Sequence, residues 1–403
     1  MKRSTLIIIV LLAVVFFTGG YAFRLLLVKG DFNSNKPLMA ARFANQLPDI
    51  ISAEEEIKEM PKAATASSNF SISVKSITRY KNLSMFALIS NTELDAKKYI
   101  TLQEAIKKGM AIVHETEDVN NLSITNKSNS FLFVNAGDIV KGGKQDRTLA
   151  TDLIIGPNQQ RVKLASFCVE HGRWSNRAGE VTTHFNASEK SLSSNELKIA
   201  AKRQRNQSQV WEKVSVQQNK LTDNISKITG AKGYIASDEA SRSSLQLTLE
   251  NSVVDSLLSD YKKYLQHALK QDGVNGVAFF INGKFYALDI YNNAQLFNDL
   301  ANKLLEAAIT EAISEYNENI TVNPLNTEHL MVYLKKEFKV DNTINPNKYT
   351  TIVNKIFKDK SDIFLFETID THATNWLHRN ILVDVENTAS NIKPQQSNQY
   401  LRN

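Results

Sequence analysis

Two short stretches hold most of the side chains that could do chemistry. The first is Gly137-Asp138-Ile139-Val140-Lys141-Gly142-Gly143-Lys144-Gln145-Asp146-Arg147. Glycines let a backbone approach a ligand closely and aim its N–H groups at an anion. Lys141, Lys144 and Arg147 would add positive charge there, with Gln145 and Asp146 as further ligand contacts. The stretch is not a phosphate-binding P-loop: the glycine spacing differs and no Ser or Thr follows Lys144. The same residues also suit a glycine turn between two strands with a solvated charged rim.

The second stretch is Cys168-Val169-Glu170-His171-Gly172-Arg173-Trp174, a thiol, an acid, an imidazole, a guanidinium and an indole in succession. A cysteine–histidine nucleophile needs the two side chains within hydrogen-bond reach. On an extended strand, positions three apart point to opposite faces. Burial of Cys168 as a small core residue is therefore the simpler expectation. Glu170 and His171 are the candidate acid–base pair, and Arg173 and Trp174 candidate ligand contacts. With one cysteine, no disulfide within the chain can form, and no thiolate zinc site either. Seven histidines occur without an H-x-x-x-H or H-E-x-x-H pattern, so no metal is indicated, and the residues name no cofactor.

Short apolar runs bounded by turn residues must position these clusters. Phe131 to Val134, Leu149 to Ile155, and Val162 with Leu164 and Phe167 to Val169 read as three strands. Asn135-Ala136-Gly137-Asp138 and Gly156-Pro157-Asn158 supply the turns. Upstream, Phe70, Ile72 and Val74 alternate with polar residues as in a half-buried strand, and Met85 to Ile89 reads as another. Leu102 to Lys108 predicts a brief helix stopped at Gly109, and Ile112-Val113 a strand before His114.

Downstream, Leu197 to Val216 is helix-permissive. Its basic cluster, Lys198, Lys202, Arg203 and Arg205, reads as a solvated helix face. Lys232 to Ser244 reads as a loop, and Val253 to Leu269 as an amphipathic helix. Asn282-Gly283 between Val277 to Ile281 and Phe285 to Tyr291 is a strong hairpin signal. The apolar stripe from Leu296 to Ile313, capped by Asn292 or Asn293, predicts a helix packed on that hairpin. Glu328 to Phe338 and Tyr349 to Phe357 read as helices, Ile363 to Thr368 and Ile381 to Val385 as strands. The sum is an α+β fold: a β-rich amino-terminal half with antiparallel sheet, then helices packed on a hairpin-containing sheet.

The chain of 403 residues is 42% hydrophobic, which suits a globular protein. A net charge of +6, from 48 basic and 42 acidic residues, is too dilute to predict a nucleic-acid partner. Lys2 and Arg3, then Leu6 to Phe17, then Gly20 and Ala22 around Tyr21, have the layout of a secretory signal. Leu25 to Val28 extend the apolarity past Arg24, so residues 6–28 could instead stay in contact with a membrane. The expected organisation is a signal peptide or anchor at 1–29, a spacer at 30–69, one domain with a single core at 70–385, and a disordered tail at 386–403. The expected location is extracytoplasmic, periplasmic or secreted.

Taken with the hairpin and the Lys303-Leu304-Leu305 helix, the two clusters resemble a family named for its association with ADP-ribosyl glycohydrolases and rhodanese/phosphatase proteins. The likeness spans roughly residues 70 to 316 and extends towards 385. It implies no set activity, because the name reflects the company the genes keep. It does imply that Lys144, Gln145, Asp146, Arg147, Glu170, His171 and Arg173 share one surface. Three functions follow as expectations. The first is an exported module binding a small anionic ligand or a protein partner. The second is a hydrolase or transferase on a phosphorylated or ADP-ribose-like substrate, with Glu170 or His171 as acid–base. The third is a structural envelope protein.

Overall fold

The computed structural model describes residues 71–92, 94–116, 118, 120–171, 183–188, 193–230, 244–358 and 362–384. The leader at 1–29, the spacer at 30–69 and the tail at 386–403 lie outside the described residues, as do Gly172, Arg173, Trp174 and nearly all of the expected loop at 232–244.

In chain order the elements begin with the hairpin β1 (Ile72–Tyr80) and β2 (Leu83–Ser90), then β3 (Tyr99–Thr101) running into helix α1 (Leu102–Lys107). Eight short strands follow: β4 (Ala111–His114), β5 (Asn121–Asn126), β6 (Phe131–Val134), β7 (Ile139–Gly142), β8 (Arg147–Leu149), β9 (Leu153–Ile155), β10 (Val162–Cys168) and β11 (His184–Ala187). Helix α2 (Asn195–Ile199) passes through a π-helical turn, Ala200–Gln204, into α3 (Gln207–Thr229), α4 (Leu245–Leu249) and α5 (Ser252–Leu269). The hairpin β12 (Gly276–Ile281) and β13 (Lys284–Tyr291) leads to α6 (Ala294–Ser314) and α7 (Thr327–Leu334). Strands β14 (Phe338–Asn347), β15 (Thr350–Phe357), β16 (Ile363–Asp370) and β17 (Asn375–Val383) end the described chain.

These elements form an α+β fold built on three sheets. An eight-stranded antiparallel sheet runs β1-β2-β12-β13-β17-β16-β15-β14. Its central strands are apolar on both faces because both faces are covered. Met85, Phe279 and Leu382 point into a core with α3, α5 and α6, while Phe86, Phe280 and Ile381 point to the side of α7. The hairpin turn has Asn282 and Gly283 both at positive φ, 52° and 77°, the backbone of a tight primed turn. Asn293 caps α6 by accepting from the Leu296 N–H at 2.8 Å, and the expected apolar stripe is buried along the helix.

Six strands, β10-β5-β4-β11-β7-β8, close into a small barrel. Closure leaves no free strand edge. Its filling, with Val113, Leu122, Val140 and Phe185, includes Leu102 and Ala105 from α1. The three-stranded sheet β3-β6-β9 serves both cores. Tyr99, Phe133 and Ile154 face the core of the large sheet, whereas Ile100, Leu132, Val134, Leu153 and Ile155 fill the barrel side. Strict alternation with apolar residues on both faces is what a strand between two cores requires.

The structure corrects four expectations. Tyr349 to Phe357 is strand β15, not a helix; Thr350, Thr351, Ile352 and Val353 are β-branched and favour a pleated backbone. Leu149 to Ile155 is not one strand: β8 stays in the barrel and β9 leaves for the three-stranded sheet, with Asp152 at the break. The stretch from Leu197 to Val216 is not continuous helix, because Arg205 adopts a left-handed conformation at φ 49°. The basic cluster there is only partly a solvated face: Arg203 is exposed, but Lys198 and Lys202 are only 5% and 7% exposed. No helix among the described residues is long and apolar enough to cross a membrane.

Candidate functional site

The turn from β7 to β8 carries Gly143, Lys144, Gln145 and Asp146. Asp146 closes it: Oδ1 accepts from the Gly142 N–H at 3.1 Å. Gly143 sits at φ 57°, and a Cβ there would lie 2.4 Å from the Phe185 ring and 2.8 Å from Glu115 Oε2. Only glycine fits that backbone and that gap. β8 then pairs antiparallel with β10, setting Arg147 opposite Cys168.

This pairing brings the two clusters together. Gln145 Nε2 donates to the Glu170 carbonyl at 2.9 Å, and the Asp146 N–H to Glu170 Oε2 at 3.3 Å. Arg147 Nη1 donates to the Gln145 carbonyl at 2.8 Å, and Nη2 lies 3.8 Å from Glu115 Oε2. Gln145, Asp146, Arg147 and Glu170 are all buried. Buried polar groups are stable mainly when they satisfy one another; these four do so in part, since Arg147 Nε donates and Glu170 Oε1 accepts no hydrogen bond among the described residues.

The remaining expected residues have separate surroundings. Lys141 Nζ donates to both oxygens of Glu250, beyond α4, at 2.7 Å. His171 packs edge-on against Trp211 of α3, with ring centroids 4.6 Å apart. Cys168 is buried, and burial pushes its thiol up to about 11, with Glu115 and Glu170 adding to the shift against Arg147. Gln207 of α3 brackets the Cys168 backbone, accepting from its N–H at 2.9 Å and donating to its carbonyl at 2.8 Å.

Lys144 lines a cleft of about 540 Å³ on the outer face of the barrel, with Ile112, His114, Glu115, Arg161, Thr183 and His184; Val113 and Phe185, between or beside these residues on β4 and β11, point into the barrel core instead. That size falls in the range of small-molecule sites. His114 and His184 are directly paired across β4 and β11. Glu115 Oε1 accepts from the Thr116 N–H at 3.1 Å and Oε2 from the Lys144 N–H at 3.4 Å. His114 is held below the ordinary imidazole range, first by burial and then by Arg161, His184 and Lys127. The local field is therefore positive. A larger cleft of about 790 Å³ lies beside α1, β3 and the start of α6, but it mixes Asp95, Glu104 and Asp299 with Lys97, Lys98 and Lys108.

A third polar group went unread in the sequence. His378 Nδ1 lies 2.7 Å from Asp152 Oδ2, and Nε2 lies 3.1 Å from Asp289 Oδ1, all buried. Thr368 Oγ1 donates to Asp152 Oδ2 at 2.6 Å, and the Ala136 N–H to Oδ1 at 2.8 Å. Nearby, Lys303 pairs with Asp138 at 2.7 Å. The available signal was a lone charge inside an apolar strand, as at Asp289 between Leu288 and Ile290. Among the described residues, no three His, Cys, Asp or Glu side chains are grouped to hold a metal ion.

No curated protein and no solved structure matches the chain. The family model for the ARG and Rhodanese-Phosphatase-superfamily-associated Protein domain, ARPP-1, matches residues 71–351, which takes in the whole barrel, both clusters, the β12–β13 hairpin and α6. Over that span, and with those elements in place, the chain belongs to the ARPP-1 domain family.

Proposed function

We propose that this chain is a binding module for a small anionic ligand, received in the cleft on the outer face of the barrel. The charge of the cleft carries the proposal. His114, Lys144, Arg161 and His184 line it with one carboxylate, Glu115, which already accepts from the Lys144 amide and faces Arg147. In this reading Lys144 and Arg161 touch the ligand. Gln145, Asp146, Arg147 and Glu170 act through the turn they brace, as positioning residues.

An ADP-ribose-like compound falls within the proposed ligand class, because its diphosphate is anionic. The hydrolase or transferase reading asks more of the molecule. Of its two candidate acid–bases, Glu170 is buried and holds the Asp146 N–H, so a substrate would have to displace that contact, and His171 packs its ring against Trp211. The sequence layout of residues 1–29 supports a location outside the cytoplasm, free or held through residues 6–28.

A thermal-shift screen of the purified protein against ADP-ribose, nucleotides, sugar phosphates and inorganic anions tests the binding reading. Ligands that bind only the native state raise the melting temperature. We expect a shift with at least one phosphorylated compound, abolished in Lys144→Ala and Arg161→Ala while the unliganded melting temperature holds. Shifts that survive both substitutions would place the ligand elsewhere, and no shift with any anion would remove the reading.

A further inference from the structure

We propose that the cleft on the barrel's outer face takes a terminal phosphomonoester together with a proton, the proton being lodged on the cross-strand pair His114 and His184. This inference rests on the anion-binding reading above and specifies the ligand and its regulation.

The two histidines are direct partners on adjacent antiparallel strands, and both line the cleft. Such partners stand close enough for their side chains to interact. Each ring has one nitrogen beside a threonine hydroxyl: His114 Nε2 lies 3.0 Å from Thr125 Oγ1, and His184 Nδ1 lies 3.3 Å from Thr183 Oγ1. The second nitrogen of each ring, His114 Nδ1 and His184 Nε2, makes no hydrogen bond among the described residues. Two ring nitrogens are thus available at one cleft, each a donor once its imidazole is protonated.

The surrounding charges are unequal. Lys144 comes from the β7–β8 turn, Arg161 from just before β10, and Lys127 from just after β5. Glu115 follows His114 directly and is engaged as described. Helix α1, which packs on β4 and β11, carries Glu104 and Lys107, and Glu104 pairs at 2.5 Å with Lys108, the residue that caps its end. With no ligand, burial first and then the surrounding cations hold His114 below its ordinary range.

An entering dianion reverses that field. A phosphomonoester carries roughly two negative charges near neutral pH and three strong acceptor oxygens. The cleft matches it with a guanidinium, an ammonium and two imidazoles. A carboxylate brings one charge and two oxygens, so it leaves half of the donor set unused. The dianion's field favours a proton drawn from solvent onto one imidazole, which turns that ring's second nitrogen into a further donor to the anion. Affinity must then rise as pH falls, by up to about tenfold per pH unit for each proton taken up.

Calorimetric titration of the full chain tests this, with inorganic sulfate as the probe because it stays a dianion between about pH 5.5 and 8, the range in which histidine titrates. Inorganic phosphate and acetate are the comparison anions. Repeating each titration in buffers of different ionisation enthalpy counts the protons bound. We expect sulfate and phosphate to bind, acetate to bind about tenfold more weakly, and sulfate affinity to fall as pH rises, with proton uptake near one. His114→Gln should flatten the pH dependence, and the exposed His184→Gln, which leaves the barrel core untouched, should reduce it. Sulfate binding that ignores pH, or a slope that persists in both variants, overturns the proton linkage and leaves the anion site standing. If neither dianion binds at any pH, both the linkage and the anion site fail.

Discussion

Removing the His378 imidazole should cost this protein a large share of its stability, with a characteristic dependence on pH. The ring is 2% exposed, lies between Asp152 and Asp289 at 2.7 and 3.1 Å, and stacks on Tyr291 with centroids 4.2 Å apart. Burial pushes the imidazole down, but Asp152 and Asp289 together outweigh it and hold His378 above its ordinary range. Burial likewise raises Asp152, and there His378, Lys202 and the hydrogen bonds from His378 and Thr368 win, holding the carboxyl well below the usual range. His378→Leu leaves two buried carboxylates without their shared cation. Breaking a buried pair in this way costs about 3–5 kcal/mol. Total stabilities of native domains are about 5–15 kcal/mol. Because the folded value is raised, the contribution of His378 is complete below the unfolded imidazole value of about 6.5 and is lost as pH rises through the folded value. Between the two, the wild type should lose about 1.4 kcal/mol per pH unit from this group. Urea unfolding followed by circular dichroism across that range measures both effects. In a double-mutant cycle, Asp152→Asn should cost less in the His378→Leu background than in the wild type. A loss under about 1 kcal/mol for His378→Leu, well short of the cost of a broken buried pair, together with an unchanged pH slope, would refute the charged reading of the trio.

Gly143→Ala should lose about 2–4 kcal/mol, since the new Cβ meets the Phe185 ring at 2.4 Å on a left-handed backbone. Gly109→Ala, at φ 67° with nothing within 4 Å, is the control and should lose only about 1 kcal/mol; equal losses by urea unfolding would show that the gap at Gly143 does not matter. The Cys168 thiol, buried and pushed up to about 11, should resist iodoacetamide at neutral pH until the protein is denatured, and rapid labelling of the native state would contradict its placement.

The local grammar of the chain was legible wherever one periodicity dominated. The hairpin at Asn282-Gly283, the α5 stripe from Val253 to Leu269 and the α6 stripe from Leu296 to Ile313 form as expected, because the turn chemistry and the apolar spacing favour the same backbone. Reading failed where short runs carry two patterns at once. Leu149 to Ile155 reads as one apolar strand, yet the break at Asp152 sends its halves into different sheets. The β-branched run at Thr350 to Val353 was outweighed by a helical spacing of apolar residues, and the sheet neighbour that decides the matter, β16, cannot be seen locally.

The site posed a different difficulty, which is one of distance along the chain. Charges between Lys141 and Arg147 suit a solvated rim when only their neighbours are considered. Their partners come from far away: Glu115 for Arg147, Glu170 for Gln145 and Asp146, Glu250 for Lys141. Lys202 is also misread, because it sits within a π-helical turn and lies over the Phe366 ring at 4.2 Å instead of facing solvent. Burying a charge without partners is too costly to survive, so an interior this polar must be nearly closed upon itself. A motif so closed cannot easily offer those same atoms to a ligand. What it can do is fix where Lys144 sits. Lys144 is set by Gly143 on one side and the Gln145–Asp146–Glu170 contacts on the other, and it lines a cleft whose other cations the motif does not contain. The proposed anion contacts are therefore to be tested at the side chains that surround the motif, His114, Arg161 and His184, as well as at Lys144 within it.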